Sequence, residues 1–180
     1  MKKIEPIIIN TERLCLRPFE LSDAPAMYQN WASDPEVTRY LTWPTHASEE
    51  VTRTLLALWI EQKDPSWCVA LRDTNEAIGS ISVVSANAET QTVEIGYCLS
   101  RAYWGGGLMP EAASALIDTL FHTFEVKRVI AKHDSENLKS GRVMQKAGMR
   151  YVGRREKSAQ NNLGLRDMEL YEIVRGGDSA

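Results

Sequence analysis

The sequence predicts an α/β (α+β) domain in which helices lie against the faces of one sheet, and three observations carry that expectation. Strand-like runs at Trp67 to Leu71, Ala77 to Val84 and Thr92 to Leu99 follow one another across short turns. Beyond Leu99 helix and strand patterns alternate, as they do when helices cover a sheet. With 180 residues, 43% hydrophobic and 25% charged, the chain has the length and composition of a single domain, 1–180, with a sizeable core.

Leu14 and Leu16, followed by Pro18-Phe19, suggest a first strand around Arg13 to Arg17. Ser22-Asp23-Ala24-Pro25 combines cap chemistry with an early proline and predicts a helix running towards Trp31. Ser33-Asp34-Pro35 begins a second turn, and Tyr40 to Ala47 has no regular period and reads as a loop. Ser48-Glu49-Glu50 opens a helix that ends near Lys63, before Asp64-Pro65 stops it. Asp73-Thr74-Asn75 is a hairpin turn between the next two strands. Along Thr92 to Leu99, alternation places Val93, Ile95 and Tyr97 on one face and Glu94 on the other.

A helix from about Leu108 to Phe124 carries Ala112, Ala113, Leu116, Ile117, Leu120 and Phe121 at helical spacing. A strand from Val126 to Lys132 and a helix from Leu138 to Lys146 follow. Two strands near Tyr151 to Arg155 and Asp167 to Ile173 flank the turn Asn161-Asn162-Leu163-Gly164. Residues 1–10 and 175–180 read as flexible ends, the second through the frayed tail Gly176-Gly177-Asp178-Ser179-Ala180.

A net charge of −3 argues against a general nucleic-acid binder, although Lys127, Arg128, Lys132, Lys139 and Arg142 gather positive charge locally. Cys15, Cys68 and Cys98 are far apart in apolar runs, which reads as buried free thiols in a reducing compartment. His122 and His133 form no metal constellation, so no metal is expected. The apolar stretch at Ile7-Ile8-Ile9 is too short for a signal peptide, and no later run approaches a membrane span. The expected setting is cytoplasmic, with no membrane partner.

Trp104-Gly105-Gly106-Gly107-Leu108-Met109 joins the strand at Thr92 to Leu99 to the helix that follows. Backbone free of side chains at a helix N-terminus can receive phosphate through free amides and the positive end of the helix dipole. A glycine triplet can equally relieve crowding at a turn. Neither Gly-x-x-x-x-Gly-Lys-Ser/Thr nor GxGxxG is present.

The whole arrangement resembles the GNAT family of acyl-CoA-dependent N-acetyltransferases, in particular its ribosomal-protein N-terminal acetyltransferase branch. Thr11 to Pro18 looks like the family's opening strand, Val93-Glu94-Ile95-Gly96-Tyr97-Cys98-Leu99 like the strand before its pyrophosphate loop, and Tyr103 to Ala112 like the loop and helix start. The resemblance implies a twisted mixed β-sheet of about seven strands flanked by helices, with acetyl-CoA as cofactor. It places pyrophosphate recognition at Trp104, Gly105, Gly106, Gly107, Leu108 and Met109, although Trp104 and Met109 depart from the usual loop pattern. A splay between two central strands in the family places recognition of the acyl group and pantetheine at Tyr97, Cys98 and Leu99. Asn137-Leu138-Lys139-Ser140 resembles a second cofactor element, with Asn137 as contact to the pantetheine arm and Ser140 as donor near the sulfur. Where many relatives have a tyrosine acid this chain has Met144, and Tyr151-Val152 stand where some relatives of the ribosomal branch carry a glutamate.

Direct acyl transfer needs a neutral amine, a donor for the developing oxyanion and a means of stabilising the thiolate. Glu94 is the leading base or water-ordering residue and a candidate substrate contact, with structural hydrogen bonding as its other reading. Ser140 is either the donor to the leaving thiolate or a helix-cap hydroxyl. Glu111 reads as organising the loop. Lys139 and Arg142 are candidate contacts to the nucleotide phosphate or solvent-facing charges, and Tyr40 and Trp43 line an amine entrance or pack as core, with His46 a weaker candidate. The expected function is transfer of acetyl from acetyl-CoA to a primary amine, either a small molecule or a peptide or protein N-terminus, in a chain for which the resemblance admits a homodimer. The competing readings are a non-catalytic acyl-CoA-binding module and a protein-interaction scaffold.

Overall fold

Alternating apolar residues along the strands build two hydrophobic layers, one on each side of a central sheet. On Ser66–Leu71, for example, Trp67 and Val69 enter one layer, and Cys68 and Ala70 enter the other. The computed structural model describes residues 1–176; the expected frayed tail at 177–180 lies outside the described residues.

The strands are β1 (Ile9–Asn10), β2 (Leu14–Pro18), β3 (Ser66–Leu71), β4 (Ala77–Asn87), β5 (Thr92–Leu99), β6 (Arg128–Asp134), β7 (Arg150–Asn161) and β8 (Gly164–Val174). They form one sheet in the order β1-β2-β3-β4-β5-β6-β8-β7. Every neighbouring pair is antiparallel except β5 and β6, which run parallel. The helices are α1 (Ala24–Met27), α2 (Pro35–Thr38), α3 (Glu49–Gln62), α4 (Leu108–His122) and α5 (Leu138–Lys146). A 3-10 turn at Leu21–Asp23 precedes α1, and a π turn at Tyr28–Ala32 extends it.

One layer joins Leu14, Leu16, Val69, Ile81, Val93, Ile95, Val129 and Ala131 of the sheet to Ala112, Ala113, Leu116, Ile117 and Leu120 of α4. The opposite layer packs Met27, Trp31 and Leu56 against Cys68, Ala70 and Cys98. Burying each leucine-sized side chain contributes roughly 1.5–3 kcal/mol, so α4 is held to the sheet chiefly by its apolar stripe.

The sheet has eight strands where about seven were expected, and the addition is the two-residue β1 on the edge of β2. That pairing, the bond from the Lys2 N–H to Phe124 O (2.9 Å) and the bond from Trp67 Nε1 to Ile7 O (2.9 Å) connect the first ten residues to the rest of the domain. Ser33-Asp34-Pro35 is the cap of a helical turn, because Asp34 Oδ1 accepts the Glu36 N–H at 2.9 Å. β6 starts two residues later than expected, since the Val126 N–H still bonds back to Leu120 O. β7 and β8 extend well beyond their predicted spans. Most of their added residues, Glu156, Lys157 and Gln160 among them, are polar and exposed, so no apolar alternation marked them.

No helix among the described residues is long and apolar enough to cross a membrane. All three cysteines are free: Cys68 and Cys98 are buried and Cys15 is partly exposed. Burial pushes the Cys98 thiol up to about 11, against the opposing pull of its contact with Ser80 Oγ, and pushes Cys68 further above the ordinary thiol range. A thiol-specific reagent at pH 8 should therefore label Cys15 in the native protein, and Cys68 and Cys98 only after unfolding. Rapid labelling of all three, or a fast phase that survives Cys15→Ala, would contradict this packing.

Candidate active site

The parallel register between β5 and β6 runs through Thr92↔Arg128, Val93↔Val129 and Glu94↔Ile130, and there it stops. Beyond that point β5 continues against β4 as far as Leu99, and β6 continues against β8 as far as Asp134, so the two strands part and leave a wedge. The bond from the Ser100 N–H to Ile78 O fixes which backbone groups face it. In an antiparallel ladder hydrogen-bonded pairs alternate with non-bonded ones, so Ser100, Cys98 and Gly96 bond to β4 while Tyr97 and Leu99 turn their amides away from β4, towards the wedge. The Leu99 carbonyl is already taken there, accepting from Trp104 Nε1 at 2.8 Å. On β6, bonds from Arg175 to Lys127 and from Ser135 to Asp167 set the same alternation and turn the Lys132 backbone into the wedge. Cys98, expected to contact cofactor, instead spends its backbone on β4 and buries its thiol beside Ser80.

At the open end of β5, Gly105 (φ 82°) and Gly107 (φ 77°) adopt left-handed backbone that suits glycine, and Gly107 caps α4 without a side-chain bond. Leu108 and Met109 bury their side chains in the core, which leaves only their amides for the first turn; Pro110 has none, and the Glu111 N–H bonds Gly107 O. The Glu111 carboxylate lies beneath this turn. It accepts from Thr11 Oγ1 (2.6 Å), the Arg13 N–H (2.9 Å) and Arg13 Nε (2.7 Å), while Arg13 Nη1 donates to Gly106 O at 2.9 Å. Burial pushes the Glu111 carboxyl up, but these bonds outweigh it and hold the group below its ordinary value. Arg13 is 98 residues from Glu111 in sequence, and no spacing rule reveals a contact of that kind.

Facing the turn, Asn137 caps α5, its Oδ1 accepting the Ser140 N–H at 3.4 Å. Tyr97 Oη donates to Ser140 O at 2.8 Å and lies 3.0 Å from Ser140 Oγ. A carbonyl only accepts, so the phenol proton is committed there and the 3.0 Å contact is a bond from the Ser140 hydroxyl to Tyr97 Oη. Burial holds the Tyr97 phenol well above the ordinary tyrosine range, with the bond to Ser140 working the other way. Lys139 Nζ stands 4.2 Å over the Trp104 ring, a cation–π contact that joins α5 to the glycine turn, and Arg142 is exposed. Met144 is core. His133 Nδ1 lies 2.7 Å from Asp134 O, so it carries the ring proton, and Nε2 is buried without a partner against the backbone of Gly141.

Glu94 sits where the strands begin to part, on the face opposite Val93 and Ile95 as alternation required. Lys132 Nζ reaches its two carboxylate oxygens at 3.0 and 3.3 Å. Tyr40 and Trp43 occupy the irregular loop before α3, both partly buried, with Trp43 packed against the second apolar layer and its ring 5.0 Å from His46. His46 is a brace: its Nδ1 lies 2.7 Å from Thr52 Oγ1, and burial lowers its pKa. The β7–β8 turn fastens this loop. Asn162 gives its N–H to Leu41 O (3.1 Å) and its Nδ2 to Thr38 O (2.9 Å) and Trp43 O (2.7 Å). Its neighbour Asn161 bonds Asp134 Oδ2 at 2.8 Å, beside Arg166 Nε at 2.9 Å, so the same hairpin also fixes the end of β6.

The model of the GNAT acetyltransferase domain matches residues 13–150, from the arginine under the glycine turn to the start of β7. The chain belongs to the GNAT acetyltransferase family. It is 30% identical to an uncharacterized N-acetyltransferase, p20, of Bacillus licheniformis over 92% of this chain and 94% of that one. A GNAT-family acetyltransferase structure from Bacillus anthracis superposes with a TM-score of 0.85 at 31% identity, covering 93% of this chain and 98% of that one. The ribosomal-protein-serine acetyltransferase of Escherichia coli is 28% identical over 74% of this chain and 76% of its own length.

As a GNAT enzyme, an acetyl-CoA-dependent acetyltransferase, the chain brings Tyr97, Leu99, Trp104, Gly105, Gly106, Gly107, Asn137, Lys139 and Ser140 around one wedge. Glu94 lies at its apex. Tyr40 and Trp43 stand on a separate loop linked to that region through Asn162 and Asn161. Sequence reading missed Arg13, Asn162 and the Tyr97 hydroxyl, each defined by a contact between distant segments. α5 comes close to β6 only because residue 141 is glycine: a Cβ there would lie 2.6 Å from His133 Nε2. Alanine ordinarily gains up to about 1 kcal/mol over glycine inside a helix. Here the clash reverses that sign, and Gly141→Ala should lower the denaturant-unfolding free energy by about 1–3 kcal/mol; an unchanged or raised midpoint would contradict the packing.

Proposed function

We propose that this chain transfers the acetyl group of acetyl-CoA directly to a primary amine, with a peptide or protein N-terminal α-amine as the favoured acceptor. The observation that carries the reading is the parting of β5 and β6 after Glu94↔Ile130, beside a glycine turn that opens α4. Together they offer what a long thioester cofactor with a pyrophosphate needs: unpaired backbone along a slot, and amides at a helix N-terminus. When bound, acetyl-CoA supplies an acyl group activated as a thioester.

The chain's own groups divide the work. The amides of Tyr97 and Leu99 hold the pantetheine arm and polarise the acyl oxygen, and Asn137 meets the same arm from α5. The amides from Gly105 to Met109 take the pyrophosphate, with Lys139 and Arg142 placed for the nucleotide phosphate. The Glu94 carboxylate keeps acceptor capacity beyond its bonds with Lys132 and takes the amine proton, directly or through water. The Ser140 hydroxyl, which rests on Tyr97 Oη, turns to donate towards the departing sulfur. Tyr40 and Trp43 form the acceptor side.

An α-amine with a reference pKa near ~7.8 is substantially neutral at physiological pH, whereas a lysine amine near ~10.4 asks more of one carboxylate base. That difference, with the activity named for the Escherichia coli relative, supports the α-amine. The three free thiols suit a reducing, cytoplasmic setting.

The test is amine-dependent release of CoA thiol across a panel of peptides, proteins and small amines, with mass spectrometry of the product. Peptides should gain one acetyl group at the N-terminus. Gain only on lysine side chains or only on small amines would overturn the acceptor assignment, and tight CoA binding without transfer would overturn the reaction. Glu94→Gln and Ser140→Ala should each lower kcat by about 10²-fold, the lower end for a general acid or base, and shift CoA affinity by no more than about threefold. Undiminished kcat in both would remove their roles.

A further inference from the structure

Glu111 poses an electrostatic problem at the cofactor turn. It is the acidic residue in the first turn of α4, where a carboxylate suits the helix dipole but opposes a phosphate on the same amides. Both of its oxygens are engaged: Oε1 accepts from Thr11 Oγ1 and the Arg13 N–H, and Oε2 accepts from Arg13 Nε and lies 2.7 Å from Nη2. The third guanidinium nitrogen, Nη1, donates to Gly106 O. Arg13 thus reaches from the residue before β2 to both the helix start and the glycine turn. Its Nη2 lies 3.6 Å from where a Cβ on Gly107 would stand, so the arginine closes one side of the turn.

The bond to Gly106 O has a directional consequence. The Gly106 carbonyl and the Gly107 N–H belong to one planar trans peptide and point in opposite directions. Holding the carbonyl down on Arg13 aims the Gly107 N–H away from it, to the outer side of the turn. A lysine would supply the charge without the planar fork that serves two carboxylate contacts and a carbonyl at once.

We propose that Arg13 is the positioning residue of the cofactor site, neutralising Glu111 and orienting the Gly106–Gly107 peptide so that the turn accepts a pyrophosphate. The role rests on the acetyl-CoA reading above. It concerns only the phosphate-bearing part of the cofactor, so it predicts a selective defect.

The experiment is calorimetric CoA binding to the full chain and to Arg13→Ala, Arg13→Lys and Arg13→Ala/Glu111→Gln, each confirmed folded by thermal unfolding. Turnover with S-acetylpantetheine, an acetyl thioester without phosphates, is measured in parallel. Arg13→Ala should weaken CoA about tenfold or more, and Arg13→Lys by a smaller factor, because the charge remains and the Gly106 bond is lost. Removing the stranded carboxylate in the double variant should bring affinity back to within about threefold of the parent, and S-acetylpantetheine turnover should stay within about twofold throughout. If Arg13→Ala fails to fold, the Lys variant carries the same comparison. Unchanged CoA affinity, no recovery in the double variant, or equal losses on both thioesters would overturn the role while leaving the cofactor reading intact. A parent chain that binds no CoA would overturn the cofactor reading and the role with it.

Discussion

A strand pair stays zipped only while each edge has a matching partner, and β5 and β6 match for three residues. Past Glu94, β5 is committed to β4 by its even-numbered amides, and β6 is committed to β8 by its odd-numbered ones. Closing the wedge would mean dragging one of those ladders out of register, at a cost of several backbone hydrogen bonds of about 1 kcal/mol each and the packing behind them. The open slot is therefore a product of the sheet's two halves being separately complete. Amides left unpaired there need a partner, and a linear ligand with amide and thioester groups can supply one.

Everything around the slot fixes its edges. α4 is pressed onto the sheet by Leu116, Ile117 and Leu120, which sets where its N-terminus opens. α5 comes close to β6 through Gly141, bringing Ser140 to the Tyr97 hydroxyl. Across the mouth, Lys139 over Trp104 joins α5 to the glycine turn. At the end of β6, Asp134 is fully buried; burial pushes its carboxyl up, and bonds from Arg166, the Glu136 N–H and Asn161 outweigh that and hold it below the ordinary carboxylate range. Because that hairpin also carries Asn162, the aromatic loop and the wedge share one support.

Local chemistry was legible in the sequence, and long-range chemistry was not. Thr92–Leu99 and Leu138–Lys146 fall where the sequence pattern placed them, and Ser48 starts α3 as its cap pattern required. Glu94 was assigned its face from period two alone. The same rule fails for the outer ends of β7 and β8, where mostly polar, exposed residues leave no alternation to read. Cys98 shows the limit of carrying a site over as a run of neighbours: in a strand, adjacent residues point their backbone to opposite sides, so Tyr97 and Leu99 share the wedge and Cys98 does not. Arg13 looked like the start of a strand, and only the folded chain puts it beneath a turn 93 residues away.

Amide hydrogen exchange with and without CoA tests the central claim, that the parted strands are the cofactor slot, most directly. The account predicts that CoA slows exchange at Tyr97 and Leu99 together with Gly107 and Leu108, and leaves Cys98, already bonded to β4, unchanged. Protection confined to the glycine turn, or found elsewhere while Tyr97 and Leu99 exchange as before, would contradict it.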